Sequence, residues 1–295
     1  MKAKQFIDEA TSSGLVQENF QEVYVEFQRY QNLAIGTLQA FGQVCERNGI
    51  PYQLAWGSLL GAVRDGGQIP WDYDVDVFVP YKEKGRLIEA LKKDLDKQYY
   101  FYCPEIDPKC RHFFIRVTPK GYRSDILHVD VFYLVGAPDD VMERETFGQR
   151  LAQLSYMRYE KLVNPSMVAM GRPKAFIKAC LQNLKMLTMP LKRIEEEYTE
   201  MCTRYDYDRA KYLVSADIFA ADATFSGDEI RQTEECSTDH GVYPIPVGYD
   251  QILKSLYKNY LQVPSMESRL DELYSHYRQL NQYAKIRNSR KKNEN

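Results

Sequence analysis

Three aspartates alternate with other residues in one short segment, and no other part of the sequence has a stronger chemical pattern. Asp72, Asp74 and Asp76 are separated by Tyr73 and Val75. Alternate side chains of a strand point to one face, so the three carboxylates are expected to share a face, with valines buried behind them. Such close negative charges repel one another unless a cation neutralises them, and carboxylate oxygens favour Mg²⁺ or Mn²⁺. The segment therefore predicts a metal site that uses Asp74 and Asp76. The alternative is an edge strand whose acids face water.

A glycine–serine pair and an arginine precede these aspartates. Gly57 allows close backbone approach to a ligand, and the Ser58 hydroxyl and the N–H groups of a following helix can bind phosphate. Arg64 carries a guanidinium group that matches phosphate geometry. Each feature also has a purely structural interpretation, in which the pair forms an ordinary turn and Arg64 pairs with the acidic residues.

A fourth aspartate lies in a second valine-rich segment, residues 128–132. His128, Asp130 and Phe132 share one face of the predicted strand. A carboxylate among apolar neighbours needs a partner. Asp130 is therefore predicted to complete the metal site or to orient a substrate, unless it pairs locally.

The elements around these residues indicate a mixed α/β domain. Helical periodicity over residues 17–48 ends at Asn48-Gly49. We predict strands at 52–55, 75–79, 99–102, 113–118 and 126–134, a short helix after Gly57, and a helix over 81–96. Further helices are predicted at 192–204, 250–260 and 266–288, with a loop and a Pro-containing turn between the first two.

Residues 161–194 contain seven basic side chains and no acidic one. Apolar residues are interleaved with these charges, which is typical of a segment that contacts an anionic membrane. A core helix with a solvated basic face is the alternative.

The composition is that of a globular protein, with 44% hydrophobic residues and a net charge of −2 from 39 basic and 41 acidic residues. This balance gives no indication of nucleic-acid binding. The N-terminus does not resemble a signal peptide, and no apolar run reaches membrane-spanning length. We therefore expect a cytoplasmic location.

Taken together, these motifs resemble the LicD family of phosphocholine transferases, to which the fukutin-type ribitol-phosphate transferases are related. Residues 57–64 read GSLLGAVR and residues 69–76 read IPWDYDVD, and both stretches are similar to the family's hallmark. Softer similarities are Cys45, the Asp-Val-Phe of the second strand and the proline turn at 244–246. The sequence departs from the family pattern at Tyr73, where another aspartate is frequent, and at Asp65, where a histidine is frequent.

The resemblance implies an α+β fold: a nucleotidyltransferase-like mixed sheet with flanking helices and a helical C-terminal part. We divide the chain into an N-terminal helical extension (1–27), a catalytic core (28–160) and a mainly helical region (161–295) that contributes to the substrate cleft.

The implied reaction is Mg²⁺-dependent transfer of a phospho-alcohol from a CDP-linked donor to a glycan or lipid-linked glycan, with release of CMP. Asp74, Asp76 and Asp130 would be the catalytic and metal-binding residues. Substrate would contact the remaining residues of the hallmark: Gly57, Ser58, Arg64, Trp71 and Asp72. Two rivals are a nucleotidyltransferase that uses an NTP and an inactive glycan-binding module.

Overall fold

The aspartate-bearing segment leads into an interior strand of a mixed β-sheet, with Asp76 in that strand and Asp72 and Asp74 just before it. The structure, a computed structural model, describes residues 1–163, 173–174, 177, 180–181, 190–220 and 223–292. In this part of the chain the main sheet has seven strands: β1 (Gln53–Leu54), β2 (Val75–Pro80), β3 (Tyr99–Tyr102), β4 (Ile115–Pro119), β5 (Val129–Ala137), β6 (Tyr212–Ser215) and β7 (Thr224–Ser226). A separate hairpin contains β8 (Thr233–Thr238) and β9 (Gly241–Pro246).

The sheet is organised around β5, its longest strand. The order is β1-β2-β5-β4-β3, and β6 also pairs with β5 before leading to β7. β2 runs parallel to β5, whereas β4 and β6 run antiparallel to it. All nine residues of β5 are buried, as expected for a strand covered on both faces.

Helices flank this sheet. Their bounds are α1 (Ala3–Ser13), α2 (Phe20–Asn48), α3 (Trp56–Leu60), α4 (Lys84–Asp94), α5 (Val141–Leu162), α6 (Leu191–Arg204), α7 (Gly227–Ile230), α8 (Tyr249–Tyr257) and α9 (Met266–Lys292). A π-helical turn (Gly61–Asp65) continues α3, and a 3-10 turn (Tyr81–Glu83) precedes α4. The mixed helix and sheet content confirms the predicted α+β class.

Helix α2 ends where the sequence predicted. Gly49 is left-handed, with φ 59°, and its N–H donates to the carbonyl of Glu46, while the Ile50 N–H donates to that of Cys45. These bonds satisfy carbonyls at the helix end, and the left-handed position favours glycine. The buried residues of α2 contribute to the same hydrophobic core as Val75 and Val77 of β2.

The region after residue 161 contains more strand than the sequence predicted. β6 extends the main sheet by pairing Leu134–Ala137 of β5 with Tyr212–Ser215. The predicted loop and proline turn before α8 instead contain β7 and the β8–β9 hairpin. Prolines in β9 obscured that strand in the sequence, since proline is tolerated in strands chiefly at edges.

No helix in the described ranges is long and apolar enough to cross a membrane. Most of the basic segment 161–194 lies outside the described residues, so its predicted membrane contact stays a prediction.

Candidate active site

Strand register brings two acidic residues and one basic residue side by side. Asp76 of β2 is paired with Asp130 of β5, and Asp130 is paired with Arg116 of β4. Residues in register on adjacent strands project to the same face of a sheet. The opposite face of β2 holds Val75 and Val77, both buried, as the alternation predicted.

Asp130 is firmly held by its neighbours. Arg116 donates from Nε to Oδ1 at 2.8 Å and from Nη2 to Oδ2 at 3.2 Å, while His128 Nε2 lies 3.4 Å from Oδ1. Burial alone would raise the pKa of Asp130, but the Arg116 charge and His128 hold it below its ordinary value. Asp130 is therefore an ionised carboxylate with a cationic partner. This arrangement matches the local pairing that the sequence allowed as an alternative to a metal-binding role.

Asp74 and Asp76 have no such partners. Within the described residues, neither carboxylate forms a hydrogen bond or an ion pair with a protein side chain. The Asp74 side chain faces a cavity that the protein surrounds. The resulting loss of solvation, followed by repulsion from Asp72, raises its pKa to about 7. Burial, followed by repulsion from Asp74 and Asp130, raises the pKa of Asp76 well above its usual range. The two side chains form an acidic pair that lacks a cationic partner among the described residues, and each holds its proton more tightly than an ordinary aspartate.

The cavity in front of these residues has a volume of about 640 Å³. Its floor includes Asp74, Asp76, Asp130 and Arg116. Aromatic side chains form much of the wall, among them Trp56, Phe114, Phe132, Tyr159, Phe219 and Tyr257. An apolar cavity of this size with a few convergent charged groups is typical of a small-molecule binding site.

Trp56 is held in a strained conformation at the edge of this cavity. Its φ of 45° is left-handed, which is costly for a bulky residue and common at functional sites. The indole packs edge-on against Phe78, with ring centroids 5.4 Å apart, and against Phe132 at 6.3 Å. These contacts stabilise the turn that leads from β1 into α3.

Gly57 and Ser58 position the aspartate segment. The Ser58 hydroxyl accepts a hydrogen bond from the Asp76 backbone N–H at 2.9 Å. A Cβ at Gly57 would lie 3.3 Å from Asp72 Oδ2, so glycine makes room for that carboxylate. Both residues line a small cavity of about 30 Å³ that also includes Asp72 and Asp74. Their predicted contact with substrate remains a prediction.

Asp72 belongs to this smaller cavity as well. Its Oδ1 accepts from the Asp74 N–H at 3.2 Å, which shapes the turn before β2. Burial raises the pKa of Asp72, while the Asp74 N–H and His276 oppose the rise. Tyr73 points away and is buried against Phe27 and His276, as predicted.

Arg64 and Trp71 are engaged elsewhere. Arg64 donates to Asp65, with Nη2 2.7 Å from Oδ2, so the residue that replaces the family's histidine pairs with the arginine beside it. Trp71 is only 2% exposed and packs against Phe6 and Arg269 in the core. Neither residue lines the large cavity, and their predicted substrate contacts stay predictions.

Several polar residues of the large cavity were not predicted from the sequence, among them Arg116, His112, Ser155 and Asp217. The placement of Arg116 follows from strand pairing. His112 is neutral, because burial and then the Arg116 charge keep its pKa well below the usual value. The sequence feature that could have indicated Arg116 was its position two residues after Phe114, which places both side chains on one face of the predicted strand.

The acidic side chains are chemically suited to a divalent cation. Two oxygen-ligand residues without protein partners, in an enclosed acidic site, favour Mg²⁺ or Mn²⁺. In the described residues, however, no three His, Cys, Asp or Glu side chains are already arranged as a metal-binding group. The predicted third ligand, Asp130, is occupied by Arg116.

Part of the chain is similar to known proteins. Residues 49–167 match the model described as "LicD/FKTN/FKRP, nucleotidyltransferase domain". Over 121 residues the chain is 29% identical to the lipopolysaccharide cholinephosphotransferase LicD of Haemophilus influenzae, a stretch covering 37% of this chain and 44% of that protein.

A shorter stretch is more similar to a second kind of relative. Over 42 residues the chain is 52% identical to the ribitol 5-phosphate transferase FKRP of Mus musculus and of Homo sapiens. This stretch covers 14% of this chain and 8% of each FKRP protein. The chain thus spans less than half the length of the curated relatives that it matches.

Proposed function

We propose that the chain, whose residues 49–167 match the LicD/FKTN/FKRP family model, is a LicD-type enzyme that transfers a phospho-alcohol from a CDP-linked donor to a hydroxyl of a glycan or lipid-linked glycan, releasing CMP. The two kinds of relative are named for choline phosphate and for ribitol 5-phosphate, respectively. Both names describe transfer of a phosphate that carries a small alcohol. The alcohol itself, choline, ribitol or another, is left open.

The observation that carries this proposal is the arrangement on the cavity floor. Two unpartnered carboxylates, Asp74 and Asp76, lie beside an Asp130–Arg116 ion pair under a cavity of about 640 Å³. Transfer of a phosphoryl group needs neutralisation of charge and alignment of donor and acceptor. The charged side chains on the cavity floor can neutralise charge, and the aromatic walls restrict the position of a bound donor.

Asp74 and Asp76 would hold Mg²⁺ or Mn²⁺, with Asp130 as a third ligand or as a group that orients the acceptor. When bound, such an ion neutralises the phosphate charges that develop during transfer. The remaining contributions come from the protein itself.

Arg116 is suited to bind a phosphate oxygen. Its Nε and Nη2 donate to Asp130, while no acceptor for Nη1 is found among the described residues. Guanidinium groups match phosphate geometry. The Asp130 carboxylate thus fixes the direction in which Arg116 offers its remaining donors.

A thermal-shift panel with Mg²⁺ tests this proposal. At least one of CDP-choline, CDP-ribitol and CDP-glycerol should raise the melting temperature more than any NTP, because a ligand of the folded state stabilises it. No stabilisation by any CDP-alcohol, beside strong stabilisation by ATP or UTP, would contradict the proposal.

That contrary result would favour a second function, transfer of NMP from an NTP to a small molecule or sugar. The family model is described as a nucleotidyltransferase domain, and the same aspartates would serve this reaction. An inactive glycan-binding module would instead show no response to Mg²⁺ with any nucleotide.

We also propose that the protein is cytoplasmic and contacts an anionic membrane through residues 161–194, where a lipid-linked acceptor would lie. Among the described positions of this segment, Ile177 and Leu181 are exposed. Liposome sedimentation with and without anionic lipid tests the contact. Equal binding to both vesicle types, or none, would discard it.

A further inference from the structure

Asp130 is poorly suited to remove a proton from the acceptor. Both of its oxygens accept from Arg116, and the ion pair keeps the pKa of Asp130 below its ordinary value. A carboxylate stabilised in this way has little tendency to take a proton. The cavity therefore needs another group for this task.

Asp217 is a second carboxylate of the same cavity, and nothing in the function proposed so far uses it. It lies just after β6 and lines the cavity with Asp130. Asp217 is only 1% exposed, so bulk water does not stabilise its carboxylate. Buried carboxylates of this kind are uncommon without a structural or functional role.

The backbone around Asp217 is well fixed. The Ala216 N–H donates to the Tyr133 carbonyl at 2.8 Å, and the Tyr198 hydroxyl donates to the Ala216 carbonyl at 2.6 Å. The Ala220 N–H donates to the Asp217 carbonyl at 3.2 Å. The strand and α6 thus hold this carboxylate at the cavity wall.

Only neutral groups bind the Asp217 side chain. The Ser215 hydroxyl donates to Oδ2, and the Phe219 N–H donates to Oδ1 at 2.6 Å. No cation pairs with this carboxylate in the described residues. Each oxygen keeps acceptor capacity beyond these bonds. Burial raises the pKa of Asp217 to about 6, although Ser215 and the Phe219 N–H oppose the rise, so it is ionised at neutral pH and more basic than Asp130.

An unpartnered hydroxyl also lines this cavity and indicates a polar ligand there. Ser155 of α5 is 8% exposed, and its Oγ has no hydrogen-bond partner among the described residues. Buried hydroxyls are normally hydrogen-bonded, and an exception at a cavity wall calls for an explanation. A hydroxyl-rich acceptor would supply the missing partner.

We propose that Asp217 is the general base that accepts the proton of the acceptor hydroxyl, an inference that rests on the transferase function proposed above. The acceptor oxygen forms its bond to the phosphorus of the transferred group while its O–H bond breaks and the proton passes to Asp217. The bond from that phosphorus to the bridging oxygen breaks, and CMP leaves with the electron pair.

The test uses the full chain with Mg²⁺ and follows CMP release from CDP-choline and CDP-ribitol. Water serves as the minimal acceptor and methyl β-galactoside as an added one, because both must lose a proton. For Asp217→Asn, kcat should fall about a hundredfold or more, while the melting shift caused by donor stays unchanged. Asparagine can still accept from the Phe219 N–H and donate to Ser215, so the fold should persist.

Two further variants sharpen the result. Asp271→Asn, which removes an exposed carboxylate outside the cavity, should keep both kcat and the donor shift. Asp217→Ala should be inactive alone and regain at least fivefold in rate with added formate, a small carboxylate that can replace the missing base. Wild type should not respond to formate.

The inference is overturned if Asp217→Asn keeps kcat within tenfold of wild type. It is also overturned if this variant loses the donor shift and formate fails to activate Asp217→Ala, since Asp217 would then be structural. An inactive wild type with every donor would overturn the proposed function and this inference together, whereas an active wild type beside an active Asp217→Asn overturns this inference alone.

Discussion

Asp76 and Asp130 occupy paired positions on neighbouring strands, yet their surroundings differ. Asp130 is bound by a guanidinium group and an imidazole, whereas Asp76, with Asp74 beside it, faces a cavity without a side-chain partner. A paired carboxylate stabilises the fold at neutral pH, and an unpaired one in an acidic site destabilises it. The comparison suggests that β2 presents groups for a ligand, while β4 and β5 hold the site in shape.

The largest expected effect is on turnover, when the unpaired carboxylates Asp74 and Asp76 are changed. Asp76→Asn or Asp74→Asn should lower turnover about a thousandfold, because losing a metal ligand removes several kcal/mol of transition-state stabilisation. Without divalent cations the same variants should melt at or above the wild-type temperature, since the raised pKa means that ionisation opposes folding at neutral pH.

CMP release and circular dichroism melts measure the two parts of this prediction. Asp208→Asn, at an exposed ion pair outside the cavity, is the matched control. Near-normal turnover in either cavity variant would remove the metal assignment.

Changes to the Asp130–Arg116 ion pair should instead lower the stability of the fold. Asp130→Asn leaves the Arg116 charge in a largely buried position, where both side chains are 14% exposed or less. Breaking such a pair costs about 3 kcal/mol of unfolding free energy. Urea denaturation of Asp130→Asn, Arg116→Met and the double variant gives the interaction energy. If Asp130→Asn unfolds at the wild-type urea concentration, the distinction between the two regions fails.

The pH dependence of metal stabilisation follows from Asp74. Its pKa, raised to about 7, exceeds the value in the unfolded chain, so its contribution to stability is present at acid pH and is lost as pH rises through about 7. A cation competes with that proton, so apparent Mg²⁺ affinity should be about tenfold weaker at pH 6 than at pH 8. Melting temperatures over a Mg²⁺ titration at both pH values measure this. An Asp74→Asn variant should show a much smaller difference, and equal affinities for wild type would contradict the assignment.

The smallest expected effect concerns the residue that connects the motif to the strand. Ser58→Ala removes the acceptor of the Asp76 N–H and should lower the unfolding free energy by about 1 kcal/mol. Ser237→Ala, at an exposed serine of β8, is the control. An unchanged stability together with a large loss of donor binding would show that Ser58 acts on substrate instead, as the sequence motif suggested.

The strands that carry the aspartates were predictable because alternation is a local pattern. Asp76 and the valines beside it occupy the predicted faces of β2, whereas Asp72 and Asp74 precede the strand and Asp72 lines the smaller cavity instead of the large one. Arg116 was missed as the partner of Asp130, since its position depends on how β4 pairs with β5 and not on any nearby residue. Asp217 was missed for the same reason, because β6 enters the sheet far along the chain from β5.

Other tertiary contacts could not be predicted from the sequence, and the substrate contacts of Trp71 and Arg64 stay predictions. Trp71 reads as part of a binding motif, but contacts with Phe6 and Arg269 bury it. Arg64 pairs with Asp65, a contact that sequence alone cannot distinguish from phosphate binding. The β8–β9 hairpin contains two prolines and few buried residues, so no alternation indicated it.

Calorimetric titration of Mg²⁺ at pH 8, in the presence of CDP, measures whether Asp74 and Asp76 bind the ion when wild type is compared with the Asp74→Asn/Asp76→Asn double variant. We expect saturable binding to wild type and a loss of that binding in the folded double variant. Binding of equal affinity to both proteins, or no binding to wild type, would contradict it.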